Sequence, residues 1–134
     1  MDPAHVRHGD AHAWFEEAGH RAWATCPMTE NGAVRIVGHA RYPNTPGTPA
    51  AVARLLRGMC AHVGHQFWPD DVSLLDGSRI DEGRLLSVAQ VTDSYLLALA
   101  VAHGGKVATF DHRIAPGAVK EGERALHCLG TSAG

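Results

Sequence analysis

Short apolar segments of strand length alternate with segments of helical periodicity along this chain, and that alternation limits the fold more than any other feature. The strand-like segments are 21–26, 65–71, 106–110 and 125–129, and the helical segments are 8–18, 28–38, 49–62 and 93–103. Alternation of this kind is typical of a parallel sheet with helices on both of its faces. We therefore predict an α/β fold with three layers, helix on sheet on helix.

Residues that favour helix starts mark the beginnings of three predicted helices. Pro27 suits a first helical turn because its missing N–H costs nothing there. Thr48 followed by Pro49 has the pattern of an N-cap and a first helical position. Thr92 is predicted to cap the helix 93–103, which is apolar on nearly all sides.

The length and the charge of the chain restrict what it can be. Its 134 residues fit one domain spanning 1–134, with 130–134 as a small, polar and frayed tail. A net charge of -2 argues against a wholly basic surface, so any nucleic acid is held by a local patch or a bound metal. No apolar run is long enough to span a membrane, and the N-terminus lacks the apolar segment of a signal peptide, which favours a cytoplasmic protein.

The three cysteines, Cys26, Cys60 and Cys128, have no CxxC spacing and are odd in number. Cysteines in such a pattern usually serve as small buried hydrophobic residues in proteins of a reducing compartment. We therefore predict three buried thiols and no disulfide framework.

Three acidic residues that are far apart in sequence lie next to predicted strand ends or helix starts. Glu30 and Asp93 fall in first helical turns, and Asp111 directly follows a strand. In parallel α/β sheets these positions meet at one edge, so the three carboxylates are predicted to converge. Converging carboxylates repel one another unless they hold a cation, and an all-oxygen set suits Mg²⁺ or Mn²⁺ better than zinc. Such a centre hydrolyses phosphodiester bonds, although each acid taken alone is also explained by a helix start or a turn.

Four strings of the sequence resemble the motifs of one family. They are WATCPMTENG (23–32), FWPDD (67–71), QVTDSYLLALA (90–100) and ATFD (108–111). In this order they resemble PIN-domain ribonucleases, in particular the VapC-type toxins of bacterial toxin–antitoxin systems, over most of the chain. The resemblance implies a PIN-like domain in which Glu30, Asp93 and Asp111 form a Mg²⁺-dependent RNA-cleaving site, with Mn²⁺ as the alternative ion. It also implies a homodimer and a cognate antitoxin protein as partner.

The beginning of the chain departs from the family pattern. Family members start with a strand of the type Leu-Leu-Asp-Val-Asn-Val-Leu, whose aspartate is a principal metal ligand, and continue into a first helix. Residues 1–6 resemble the loop after that helix instead. The first strand and the first helix are therefore expected to be absent from this chain, and the biological protein is expected to be longer unless the chain is a truncated product.

Functions of two different classes fit these features. The first is a metal-dependent endoribonuclease toxin that hydrolyses RNA phosphodiester bonds and is neutralised by its antitoxin. The alternative is a catalytically impaired PIN-like remnant that acts by binding an antitoxin or RNA. Cleavage of DNA instead of RNA is a third hypothesis, because hydrolysis at a metal-bound phosphate does not require recognition of the 2′-OH that distinguishes RNA from DNA. Arg113, which follows Asp111 by two residues, is a candidate for binding an RNA phosphate, and a solvated loop position explains it equally well.

Overall fold

A computed structural model describes residues 23–39, 48–109 and 111–129. The chain divides into two compact units, an N-terminal unit that ends at Asp70 and a C-terminal unit that begins at Asp71. The predicted helix 8–18 lies outside the described residues. Among the helices that the structure describes, none has the length and apolar character needed to cross a bilayer.

The described residues of the N-terminal unit form two strands and two helices in the order strand, helix, helix, strand. These are β1 (Trp23–Thr25), α1 (Pro27–Val37), α2 (Pro49–Cys60) and β2 (His65–Phe67). The two strands pair in parallel, with Trp23 opposite His65 and Thr25 opposite Phe67. The two helices, which lie between the two strands in sequence, pack against each other.

Local hydrogen bonds fix both helix starts of this unit where the sequence predicts them. Cys26 caps α1, and the Thr29 hydroxyl accepts from the backbone N–H of Cys26 at 3.0 Å, with Pro27 at the first helical position. The Thr48 hydroxyl caps α2 by accepting from the Ala51 N–H at 3.2 Å. Both caps pair backbone donors that a helix leaves without an internal partner.

The C-terminal unit repeats the parallel pairing of strands. Its elements are α3 (Gln90–Ala102), β3 (Val107–Thr109), α4 (Gly122–Ala125) and β4 (Leu126–Cys128), with short 3₁₀ turns at Glu82–Arg84 and Pro116–Ala118. Strands β3 and β4 are parallel, with Val107 opposite Leu126 and Thr109 opposite Cys128. The described strands thus form two two-stranded parallel sheets, one in each unit, and the fold is of the predicted α/β class.

Helix α3 provides the longest run of core residues in the C-terminal unit. Its residues Leu97, Ala98, Leu99 and Ala100 are at most 1% exposed. Other buried apolar residues of this unit are Ile80, Ala118, Val119, Ala125 and Leu129. The Ser94 hydroxyl is equally buried and has no hydrogen-bond partner among the described residues. A helix that is apolar on nearly all sides is expected in a protein interior, as predicted for this segment.

The prediction that Thr92 caps α3 is wrong. The helix begins at Gln90, so Thr92 lies inside its first turn. The Gln90 side chain binds the loop before the helix, because its Oε1 accepts from the backbone N–H groups of Leu86 at 2.7 Å and Ser87 at 3.1 Å. Its amide also donates to the Arg84 carbonyl at 3.2 Å, which ties the preceding loop to the helix start.

The prediction of three buried cysteines holds for one of them. Cys26 is buried, Cys60 is half-buried and Cys128 is exposed, and all three are free thiols. Cys60 is the last residue of α2 and Cys128 the last residue of the short strand β4, so both thiols lie at element ends instead of inside the core. Position within an element, and not residue type, decides their exposure.

Candidate metal and active-site residues

Glu30 is held by a bridging hydroxyl from the preceding strand. It lies in the first turn of α1 and is half-buried. The Thr25 hydroxyl donates to Glu30 Oε2 at 2.6 Å and lies 2.7 Å from His65 Nε2. Because the Thr25 proton goes to the carboxylate, the imidazole N–H is the donor in the second bond. The Trp23 ring also contacts the His65 ring, with centroids 4.6 Å apart.

Parallel pairing of β1 with β2 places these side chains on one face. Thr25 and His65 are two positions apart in the register, and side chains two positions apart in a strand project from the same face. Thr25 is only 9% exposed, so its hydroxyl is largely shielded from water. The hydrogen bonds among Thr25, Glu30 and His65 therefore follow from the strand pairing and the helix start.

A third potential ligand joins Glu30 and His65. One ligand atom each from Glu30, Cys60 and His65 lies within 4.8 Å of the other two, and all three residues are half-buried. This cluster is a candidate metal-binding site. Sequence reasoning missed Cys60 and His65, and the only local signal is a Cys-x₄-His spacing that runs from the end of a helix to the start of a strand.

A cavity borders this cluster within the N-terminal unit. It has a volume of about 280 Å³ and is lined by Glu30, Val34, Ala53, Leu56, Arg57 and Cys60. Two of the cluster's side chains therefore face a space that solvent ions can enter. Arg57 adds a positive charge to the same cavity.

Asp93 and Asp111 lie close enough in the C-terminal unit to interact electrostatically. Asp93 is in the first turn of α3, and Asp111 follows the end of β3. Partial burial raises the pKa of Asp93, and the negative charge of Asp111 raises it further. Such repulsion between carboxylates is relieved when a cation binds between them.

Asp111 itself is stabilised in its charged form by Arg113. Its Oδ1 accepts from the Arg113 backbone N–H at 2.9 Å and from Nε at 3.0 Å, and its Oδ2 accepts from the guanidinium at 3.4 Å. These hydrogen bonds lower the pKa of Asp111 and raise that of Arg113. The Asp111 N–H donates to the Thr109 hydroxyl at 3.0 Å, so the loop is anchored to the strand end. Arg113 is 91% exposed and remains accessible to a ligand.

Two of the three predicted acids belong to the same unit of the structure. Asp93 and Asp111 share the C-terminal unit, and the negative charge of Asp111 helps to raise the pKa of Asp93. Glu30 belongs to the N-terminal unit, where its neighbours are Thr25, Cys60 and His65. The convergence of all three acids stays a prediction.

Comparison with known proteins shows relatives that match most of the chain. It is 46% identical to Ribonuclease VapC44 of Mycobacterium tuberculosis over 125 residues, which cover 90% of this chain and 87% of the relative. It is 41% identical to Ribonuclease VapC39 of the same organism, over 87% of this chain and 84% of the relative. Ribonuclease VapC38 is 38% identical over 81% of this chain and 74% of the relative. No protein-family model matches the chain, and no solved structure matches it significantly.

Identity at this level over nearly the whole chain shows common descent. The chain belongs to the VapC ribonuclease family. The α/β fold with parallel strand pairs agrees with the PIN-like fold that this family implies.

Proposed function

We propose that this protein is a metal-dependent endoribonuclease toxin that hydrolyses RNA phosphodiester bonds and is neutralised by a cognate antitoxin. The ribonucleases to which it is 38–46% identical support the reaction class. The metal dependence is supported by the pKa of Asp93, which burial and then the charge of Asp111 raise, because neighbouring carboxylates are a favourable setting for a divalent cation. The ribonuclease relatives also favour the enzyme over a binding remnant without catalysis.

The donor set of the proposed centre fits Mg²⁺. Asp93 and Asp111 offer oxygen ligands, which hard divalent cations prefer, and Glu30 is the third proposed carboxylate. Mn²⁺ has similar preferences and is the alternative ion. A bound Mg²⁺ supplies electrostatic stabilisation of the negative charge that develops on the scissile phosphate.

The chain's own residues divide the remaining tasks. Asp111 stays ionised because Arg113 lowers its pKa, whereas Asp93 is the acid whose pKa rises. Asp93 is therefore the carboxylate whose charge depends most on a nearby cation. Arg113 is proposed to bind an RNA phosphate beside Asp111, because its guanidinium is exposed and suits a phosphate in a bidentate geometry.

The biological setting is proposed on the same basis. We infer that residues 1–134 form a single PIN-like domain, that two copies associate as a homodimer, and that the protein acts in the cytoplasm. A cognate antitoxin is the proposed inhibitor, since toxin–antitoxin pairing is what membership of the VapC family implies.

The test is cleavage of a mixture of total tRNA and rRNA by the purified protein with Mg²⁺. We expect cleavage that EDTA abolishes and that Asp93→Asn lowers about 100-fold or more, since charge stabilisation worth several kcal/mol is lost. Asp76→Asn is the matched control, because it makes the same change at an acid of the same unit whose carboxylate binds Ser78 and Arg79. Cleavage by Asp93→Asn at the wild-type rate contradicts the proposed centre.

A separate variant tests the substrate-binding role. Arg113→Ala is expected to raise KM for RNA more than it lowers kcat, since a phosphate contact made equally in the ground and transition states affects binding. Arg113→Lys retains the charge but not the bidentate geometry and is expected to recover part of the affinity. Unchanged KM in Arg113→Ala argues for a solvated loop position.

A further inference from the structure

The ligand chemistry around Glu30 differs from that around the two aspartates. Glu30 has a thiol, Cys60, and an imidazole, His65, as its neighbours within 4.8 Å. Sulfur and nitrogen ligands are poor for Mg²⁺ but are those that Zn²⁺ prefers. One thiolate, one imidazole and one carboxylate form a three-residue set, with water as the usual fourth ligand of an accessible zinc ion.

Three separate elements hold the potential ligands in place. Glu30 is in the first turn of α1, Cys60 ends α2, and His65 begins β2. Packing of α1 on α2 and pairing of β2 with β1 fix their backbone positions. The cluster is thus a product of the tertiary fold of this unit and not of a flexible loop.

The distances require only a small adjustment for zinc. Zn–ligand bonds of about 2.0–2.3 Å in a tetrahedron place the ligand atoms roughly 3.3–3.6 Å apart. The three atoms already lie within 4.8 Å of one another, so a convergence of about 1 Å suffices, which side-chain rotation can supply. All three side chains are half-buried, and two of them line the cavity described above, which offers an entry path.

Thr25 supplies the outer contact that metal sites usually contain. Its hydroxyl binds both Glu30 and His65, and it is largely shielded from water. Hydrogen bonds to the residues that ligate a metal orient them and fix the tautomer of a histidine. Thr25 is therefore a positioning residue for this cluster.

We propose that Glu30, Cys60 and His65 form a zinc site, and that Zn²⁺ bound there inhibits RNA cleavage by withdrawing Glu30 from the Mg²⁺-dependent centre. The inhibitory part rests on the proposed ribonuclease function, in which Glu30 is one of the carboxylates. The zinc site itself rests only on the cluster. One carboxylate then serves either of two metals, and the soft ligands beside it favour zinc.

Binding is tested directly on the full chain with Zn²⁺ alone, in competition with a chromophoric chelator, and with Co²⁺ as a spectroscopic probe. We expect one tightly bound Zn²⁺ per chain and a thiolate-to-cobalt charge-transfer band. Cys60→Ser is expected to remove that band and to weaken Zn²⁺ binding about 100-fold, because a ligand contributes at least as much as an outer contact. Cys128→Ser is the matched control, since it changes an exposed thiol of the other unit and is expected to bind like the wild type.

A second variant keeps the binding test decisive if Cys60→Ser folds poorly. His65→Asn removes the imidazole from the strand and is expected to weaken Zn²⁺ binding to a similar degree while leaving the Cys60 thiol in place. Circular dichroism and a melting curve report whether each variant is folded. Wild-type Zn²⁺ affinity in a folded Cys60→Ser or His65→Asn protein overturns the zinc site.

Inhibition is tested by titrating Zn²⁺ into the RNA-cleavage reaction at saturating Mg²⁺. The wild type is expected to lose activity as the site fills, whereas Cys60→Ser, which retains every proposed catalytic residue, is expected to cleave normally and to resist zinc. Equal inhibition of both proteins, or none in a zinc-loaded wild type, overturns the inhibitory role. Absence of cleavage before zinc is added overturns the ribonuclease proposal instead, and the binding measurements are independent of that result.

Discussion

Replacing Thr25 by valine tests how far a single hydroxyl stabilises the N-terminal unit. Valine keeps the branched shape and removes both hydrogen bonds, the 2.6 Å bond to Glu30 and the 2.7 Å bond to His65. A hydrogen bond to a charged group contributes about 1.5–3 kcal/mol, and one to a neutral partner about 0.5–1.5 kcal/mol. Water replaces part of this because Glu30 and His65 are half-buried, so we expect a loss of about 2 kcal/mol.

Urea unfolding followed by tryptophan fluorescence measures this loss, since Trp23 lies against the His65 ring. In thermal unfolding, a loss of about 2 kcal/mol corresponds to a fall in Tm of about 6–10 °C for a chain of this length. Thr25→Ser keeps the hydroxyl and removes one methyl group, and is expected to cost about 0.8 kcal/mol.

A double-mutant cycle with Glu30→Ala separates the hydrogen bond from packing. If the hydroxyl stabilises the fold through Glu30, the two substitutions are expected to couple by about 1 kcal/mol or more. Losses that simply add, or a Thr25→Val protein as stable as Thr25→Ser, refute the reasoning. Either result means that the strand pairing alone holds these side chains.

Three further predictions concern stability. Burial and the charge of Asp111 raise the pKa of Asp93, so the folded protein holds the Asp93 proton more tightly than the unfolded chain does. The stability gained from this proton is complete below the ordinary pKa of 3.8 and is lost as the pH rises through the raised value. Asp93→Asn is therefore expected to unfold at higher urea than the wild type at neutral pH, with the difference vanishing in acid. Gly122→Ala places a methyl group 2.9 Å from a backbone oxygen and is expected to cost about 1–3 kcal/mol in urea unfolding, whereas Gly32→Ala in the open interior of α1 is expected to gain about 0.5–1 kcal/mol. Ser94→Ala removes a buried hydroxyl that has no partner among the described residues, so a Tm equal to or above that of the wild type is expected, and a lower one contradicts this.

Helix starts were predictable where the capping chemistry is local. Pro27 and the pair Thr48–Pro49 act within one turn, so the sequence alone identifies them. The start of α3 was not predictable in the same way, because no side chain caps it and the Gln90 side chain instead binds backbone N–H groups of the loop before the helix. The N-cap position is held by Ala89, which offers no side-chain hydrogen bond, and Thr92, a usual N-cap residue, lies inside the helix.

The candidate sites show the same division between local and long-range causes. Asp93 and Asp111 stand out because a helix start and a strand end are visible in the sequence. The charge of Asp111 raises the pKa of Asp93, while the catalytic role of both residues stays a prediction. The neighbours of Glu30 could not be predicted, because they depend on how α1 packs on α2 and on the alignment of two strands. Asp111 and Arg113 are only two residues apart, but whether their side chains meet depends on the conformation of the loop after β3. Their ion pair could therefore not be predicted from the spacing alone.

The pairing of β1 with β2 makes His65 a reporter of correct folding. Each strand has only three residues, so few backbone hydrogen bonds fix their alignment. A slip of one residue turns every side chain of a strand to the opposite face, which separates Thr25 from His65. The NMR signal of the His65 ring therefore distinguishes a correctly aligned chain from a misaligned one that has the same secondary structure content.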